Sequence, residues 1–365
     1  VLESVAISGA FRAREVSALS RRSTATSTWA RRPCPSHTTT RWSGGSRWAI
    51  SASGRVTYAR PSPHLVLSGE MVNKLGPAVN SGRSLFLYGP PGNGKTVVAK
   101  SIIRMIKGAV FIPYSIIVDG QIIRVYDEMN HERVDAPAPD PRSKGGATLG
   151  SSRHDPRWVR IRRPEIIVGG ELTMSSLDLI YDPIAKTYEA PLQMKANNGL
   201  FVVDDFGRQQ MRPQDLLNRW IVPLELRVDF LALQTGKKIE IPFDELIVFS
   251  TNLDPRDLVD DAFLRRIRHK IKVDFPDEKI YFQILQRECA TRGIELPPEA
   301  FVYLMQKHYI GVNRNLRSCH PRDLLDQITD IAAYLGTRPV LSKQLIDAAC
   351  DSYFCLLYTS PSPRD

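Results

Sequence analysis

The chain has 365 residues, 42% of them hydrophobic and 24% charged, which excludes wholesale disorder and suggests two or three domains. No apolar run approaches the roughly 18–20 residues of a membrane helix, so membrane insertion is not expected. The net charge of +10 is local: residues 1–60 carry ten Arg, no Lys and two acids, leaving 39 bases against 37 acids in the rest. Taken in chain order, that first stretch holds 18 Ser or Thr and Trp29, Trp42 and Trp48 without helical or strand period, so it is expected to be non-globular. It reads as a basic nucleic-acid arm, as an Arg- and Ser-rich transit peptide, or as codons translated out of frame. From there the spacing predicts a helix over 69–79, N-capped by Ser68, a buried strand over 84–88, a Gly-rich loop and a helix over 96–106. A hairpin follows over 110–125 about Asp119-Gly120, then a Pro/Gly/Ser/Arg loop over 135–156. Strands are expected over 158–161, 165–168, 200–203 and 246–250, with a helix over 213–224 and a second hairpin over 228–241 about Thr235-Gly236. Past 277 the pattern is helical only, near 277–292, 298–309, 321–335 and 342–354. Residues 355–365, CLLYTSPSPRD, look like the translation of a sequencing-library adapter and are set apart from the fold. The expected organisation is an α/β domain over 61–276 and a small all-helical domain over 277–354.

Five scattered cysteines, Cys34, Cys289, Cys319, Cys350 and Cys355, include no C-x-x-C pair. That excludes a disulfide framework and the usual zinc modules, and fits a reducing cytoplasm. The histidines show no ligand spacing, and no Ser–Lys pair or H-e-x-x-H motif points to a protease.

Gly89-Pro90-Pro91-Gly92-Asn93-Gly94-Lys95-Thr96 matches G-x-x-x-x-G-K-[ST] at every fixed position, between a buried strand and an amphipathic helix. Glycines let the backbone curl so that successive N–H groups face phosphate oxygens, and the helix N-terminus adds its partial positive charge. Lys95 is expected to meet the β- and γ-phosphates and Thr96 to ligate Mg²⁺, with Val97 ending the cofactor-binding run. The strand Leu200–Val203 ends in Asp204 and Asp205. Asp204 is placed to hold Mg²⁺, largely through its waters, and Asp205 to orient or deprotonate the attacking water. The expected cofactors are therefore ATP and Mg²⁺, and the expected fold is a P-loop NTPase parallel-sheet core with helices on both faces.

On these motifs the chain from about residue 64 to 354 resembles AAA+ ATPases, and further positions match in order. Leu246-Ile247-Val248-Phe249-Ser250-Thr251-Asn252 is similar to the sensor-1 strand, which implies that Asn252 lies near the γ-phosphate and the lytic water. Ala262-Phe263-Leu264-Arg265-Arg266-Ile267 is similar to the segment carrying the arginine finger, which implies Arg266, or its neighbour Arg265, in that role. Pro321-Arg322-Asp323-Leu324-Leu325 is similar to the sensor-2 helix of the lid, which implies Arg322 at the nucleotide. The hairpin before sensor 1 resembles that of the pre-sensor-1 clade, and residues 192–225 are most like MoxR-type and enhancer-activator modules. No GAFTGA-like loop is present, which disfavours the activators.

The resemblance implies a homo-oligomeric ring, with the finger supplied in trans, that remodels a protein client. A nucleic-acid motor stays open through the run Arg157, Arg160, Arg162 and Arg163, although the body of the chain is nearly neutral. A slow nucleotide-gated switch stays open too, because Asp205 stands where the family has the longer Glu.

Overall fold

The computed structural model describes residues 10–12, 66, 68–106, 108–134 and 155–355. Of the expected end segments and the 135–156 loop, only Ala10–Arg12, Asp155, Pro156 and Cys355 fall within the described residues.

After a short β1 (Ala10–Arg12), α1 (Gly69–Ser81) starts where Ser68 Oγ accepts the Met71 N–H at 3.1 Å and stops at Gly82 in the left-handed region. Then come β2 (Leu85–Tyr88), α2 (Lys95–Met105), β3 (Ala109–Pro113), β4 (Ser115–Val118), β5 (Gln121–Arg124), β6 (Trp158–Arg162) and β7 (Glu165–Val168). The hairpin β8 (Ile180–Asp182) and β9 (Thr187–Glu189) leads to α3 (Leu192–Lys195), β10 (Leu200–Val203) and α4 (Pro213–Leu226). The hairpin β11 (Val228–Ala232) and β12 (Lys238–Pro242) leads to β13 (Leu246–Thr251), α5 (Pro255–Leu258), α6 (Asp261–Leu264) and β14 (His269–Lys272).

The central sheet is parallel throughout, in the order β14-β2-β13-β10-β7. Its inner strands β2, β13 and β10 are largely apolar because both faces are covered. Odd and even positions bury against different helices: Phe86, Phe201, Phe249 and Trp220 of α4 share one cluster, while Leu85, Val202, Val248 and Ile102 of α2 share the other. Trp220 is fully buried and meets Phe201 edge-on at 5.4 Å. The order places β13 between β2 and β10. Because the strands run one way, the loop after β2, the acids after β10 and Asn252 after β13 emerge at one edge of the sheet.

A second sheet, β1-β4-β5-β9-β8, lies outside this core. The β11–β12 hairpin packs on it through Leu231, Ile239 and Ile241 against Ile123 and Tyr188. The Gln234 N–H donates to Tyr188 Oη at 3.0 Å, and Lys237 pairs with Asp119. The second sheet and the β11–β12 hairpin form one β body.

Among the described residues past 277 there are four α-helices: α7 (Glu278–Arg292), α8 (Pro298–His308), α9 (His320–Tyr334) and α10 (Lys343–Phe354). They enclose their own cluster, including Tyr281, Leu304, Leu325 and Phe354. Among the described residues no helix is long and apolar enough to cross a membrane.

Candidate functional site

The loop between β2 and α2 curls as its glycines require. Gly89 has φ 136°, and a Cβ there would stand 2.5 Å from the Val273 carbonyl oxygen, so no side chain fits. Gly94, at φ 79°, caps α2, whose unpaired N–H groups open toward the loop.

Lys95 is buried and donates to the Gly89 and Pro90 carbonyls, both at 2.9 Å. Burial lowers its pKa, while the carboxylates of Asp205 and Asp204 push the other way. Its ammonium thus rests on weak neutral acceptors that an anion readily displaces. Asn93 is 4% exposed, and neither Oδ1 nor Nδ2 has a hydrogen-bond partner. An orphaned buried amide of this kind marks a place built for a group the bare chain does not supply.

Thr96 Oγ1 donates to Asp204 Oδ2 at 2.8 Å, which joins α2 to the end of β10. One carboxylate beside one hydroxyl suits Mg²⁺, which keeps several waters and completes its shell with substrate phosphates. Among the described residues no group of three or more His, Cys, Asp or Glu gathers for a metal. The next residue, Asp205, sits in the left-handed region at φ 47° with its N–H on Asp204 Oδ1 at 3.1 Å. Asn252 Nδ2 donates to Asp205 Oδ1 at 2.9 Å. The turn is braced by Gln209, whose Nε2 donates to the carbonyls of Asp204 and Asp205 at 2.9 and 3.2 Å. No sequence motif announces Gln209; only the fold brings it under the acids.

These groups open into a cleft of about 700 Å³ between the sheet edge and the C-terminal helices. Pro91, Gly92 and the half-exposed Val97 line it on one side, and Ile280 and Ile284 of α7 and Arg322 of α9 on the other. The Cys319 N–H donates to the Gly92 carbonyl at 2.9 Å, and a Cβ at Gly92 would meet Cys319 Sγ at 2.7 Å. The helical region therefore sits directly on the loop. Two expected site residues stay outside the cleft: Arg265 is exposed, and Arg266 Nε donates to Glu225 Oε1 of α4 at 2.6 Å.

A family model described as "Domain of unknown function (DUF8689)" matches residues 277–352. No curated protein matches the chain. Among solved structures it is similar to NtrX from Brucella abortus in complex with ADP, at 14% identity and a TM-score of 0.47, covering 82% of this chain and 58% of that one. It is also similar to NtrX with ATP, at 13% identity and a TM-score of 0.45 over 80% and 58% of the two chains. The RuvB Holliday junction branch migration motor of Thermotoga maritima is 13% identical with a TM-score of 0.42, over 78% and 67%. The chain thus spans 58% of the NtrX chain.

Proposed function

We propose that the chain binds ATP with Mg²⁺ and hydrolyses it as a cytoplasmic AAA+ ring motor that remodels a protein client. The observation that carries this reading is the convergence, at the ends of three neighbouring parallel strands, of Lys95, the Thr96–Asp204 pair and the Asp205–Asn252 pair. Lys95 exchanges its loop carbonyls for phosphate oxygens. Thr96 and Asp204 would hold Mg²⁺, which supplies charge neutralisation across the phosphate chain. Asp205 orients or deprotonates the attacking water, and Asn252 fixes Asp205 through Oδ1. The α/β domain over 61–276 carries these groups, and the helical domain over 277–354 acts as the lid.

The arginine finger, a cation beyond Lys95 and Arg322, comes from a neighbouring copy in this reading, because Arg265 and Arg266 lie outside their own cleft. A protein client is favoured over nucleic acid by the state of the basic run. Arg157 pairs with Asp155 and Arg162 with Glu132, while Arg163 donates to the Asn198 carbonyl at 2.7 Å. Two of the four arginines in the run thus have their charge offset by an acid, which reduces the positive field the run presents to a phosphate backbone.

The test is Lys95→Ala. Calorimetry is expected to show ATP binding lost or severely weakened, and near-parental affinity would overturn the reading.

A further inference from the structure

Arg322, which lines the cleft, is held by Asp323 of its own helix, and Asp323 is held in turn by a residue of α10. Arg322 Nε and Nη2 both donate to Asp323 Oδ1, at 2.9 and 2.8 Å. The other carboxylate oxygen, Asp323 Oδ2, accepts the Tyr353 hydroxyl of α10 at 2.7 Å. The phenol ring is itself fixed, edge-on to His320 at 5.7 Å and to Phe354 at 4.9 Å. Burial, with the Asp323 carboxylate beside it, holds the phenol pKa well above its ordinary value, so it remains a donor across the neutral range. The same hydroxyl lies 3.9 Å from Sγ of Cys319, whose N–H holds Gly92 of the phosphate loop.

Arg322 is 60% exposed, and a long side chain so placed samples many rotamers unless something holds it. Asp323 takes the edge formed by Nε and Nη2, which leaves Nη1 to face an anion. A carboxylate adjacent in sequence can swing with the arginine it binds; one anchored from a second helix cannot. That anchor is the Tyr353 hydroxyl.

We infer that Tyr353 and Asp323 are positioning residues that preset Arg322 toward the phosphate end of the cleft, so that α10 sets the affinity for the nucleotide's phosphates. This rests on the ATP reading above.

The experiment is a double-mutant cycle read by calorimetry on the full chain, with ATP and adenosine as probes. Tyr353→Phe keeps the ring packing and removes one hydroxyl; ATP affinity is expected to fall roughly three- to tenfold, the size of one oriented hydrogen bond, while adenosine affinity holds. Asp323→Asn, which keeps shape and still accepts from Tyr353, should give the same ATP-selective loss. In an Arg322→Ala background Tyr353→Phe should cost nothing more, because its effect passes through that arginine. Unchanged ATP affinity, an equal loss for adenosine, or an undiminished loss without Arg322 would overturn the inference. Lys95→Ala keeps the two failures apart. If that variant binds ATP normally, the nucleotide reading falls; if it does not and Tyr353→Phe is neutral, only the positioning pair falls.

Discussion

Asp205 occupies a backbone conformation that few residues tolerate. At φ 47° it lies where Asn and Asp are the least disfavoured side chains after glycine. Asp205→Asn therefore leaves the turn undisturbed and keeps size and hydrogen bonding, but removes the base. ATP should bind as before while single-turnover hydrolysis drops by about 10²–10⁴, the usual cost of a lost general base. An unchanged single-turnover rate would show that Asp205 is not the base. The acids themselves are legible in sequence, because an apolar run ending in two Asp after a phosphate-loop motif has few other meanings. Gln209, Asp323 and Tyr353 are not legible. Each is an ordinary polar residue until the fold sets it beside a carbonyl, a guanidinium or a carboxylate.

At the scale of elements, the strands that carry the site are the ones a sequence reveals best. Burial on both faces makes β2, β10 and β13 unbroken apolar runs, and Ser68, Asp277 and Ser342 cap helices as their residue types predict. The hairpin β8–β9 escapes notice because three residues a strand establish no period. The edge strand β14 escapes because His269, Lys270 and Lys272 leave a single buried apolar residue, Ile271. The junction between β12 and β13 holds a different feature. Glu245 is fully buried with no hydrogen-bond partner on either carboxylate oxygen, and burial pushes its pKa well above the ordinary value against the pull of Arg227. The folded chain thus holds this proton more tightly than the unfolded chain. Its stabilising contribution is complete below the unfolded pKa of about 4.5 and is lost as pH rises toward the folded value. Glu245→Gln removes that dependence, so urea midpoints between about pH 5 and 8 should rise and flatten relative to the parent. A variant midpoint below the parent's at pH 8 would show that Glu245 is ionised and paired.

At the scale of the whole molecule, the sheet order is what sequence leaves open. Nothing in the chain states that β13 slips between β2 and β10, nor that hairpins some 110 residues apart share one β body through Tyr188, Gln234, Asp119 and Lys237. Both follow from long-range packing that local periodicity does not encode. The same order leaves each copy with a loop, two acids and an amide at its cleft but with Arg265 and Arg266 elsewhere. Lys95 and Arg322 are a subunit's own cations, and on the proposed reading the finger is a further one that a neighbour supplies. Arg266→Ala should leave ATP binding intact and suppress turnover. Arg265→Ala should do so instead if the Glu225 pairing keeps Arg266 at home, and comparing the two assigns the finger. Mixing an Arg266→Ala subunit with an Asp205→Asn subunit then restores part of the activity. In the mixture some interfaces join an intact Asp205 to an intact arginine, whereas neither parent population contains any. Specific activity should also fall on dilution as neighbours separate. Activity per subunit that stays constant down to the concentration at which sizing shows a monomer would place the whole reaction within one chain.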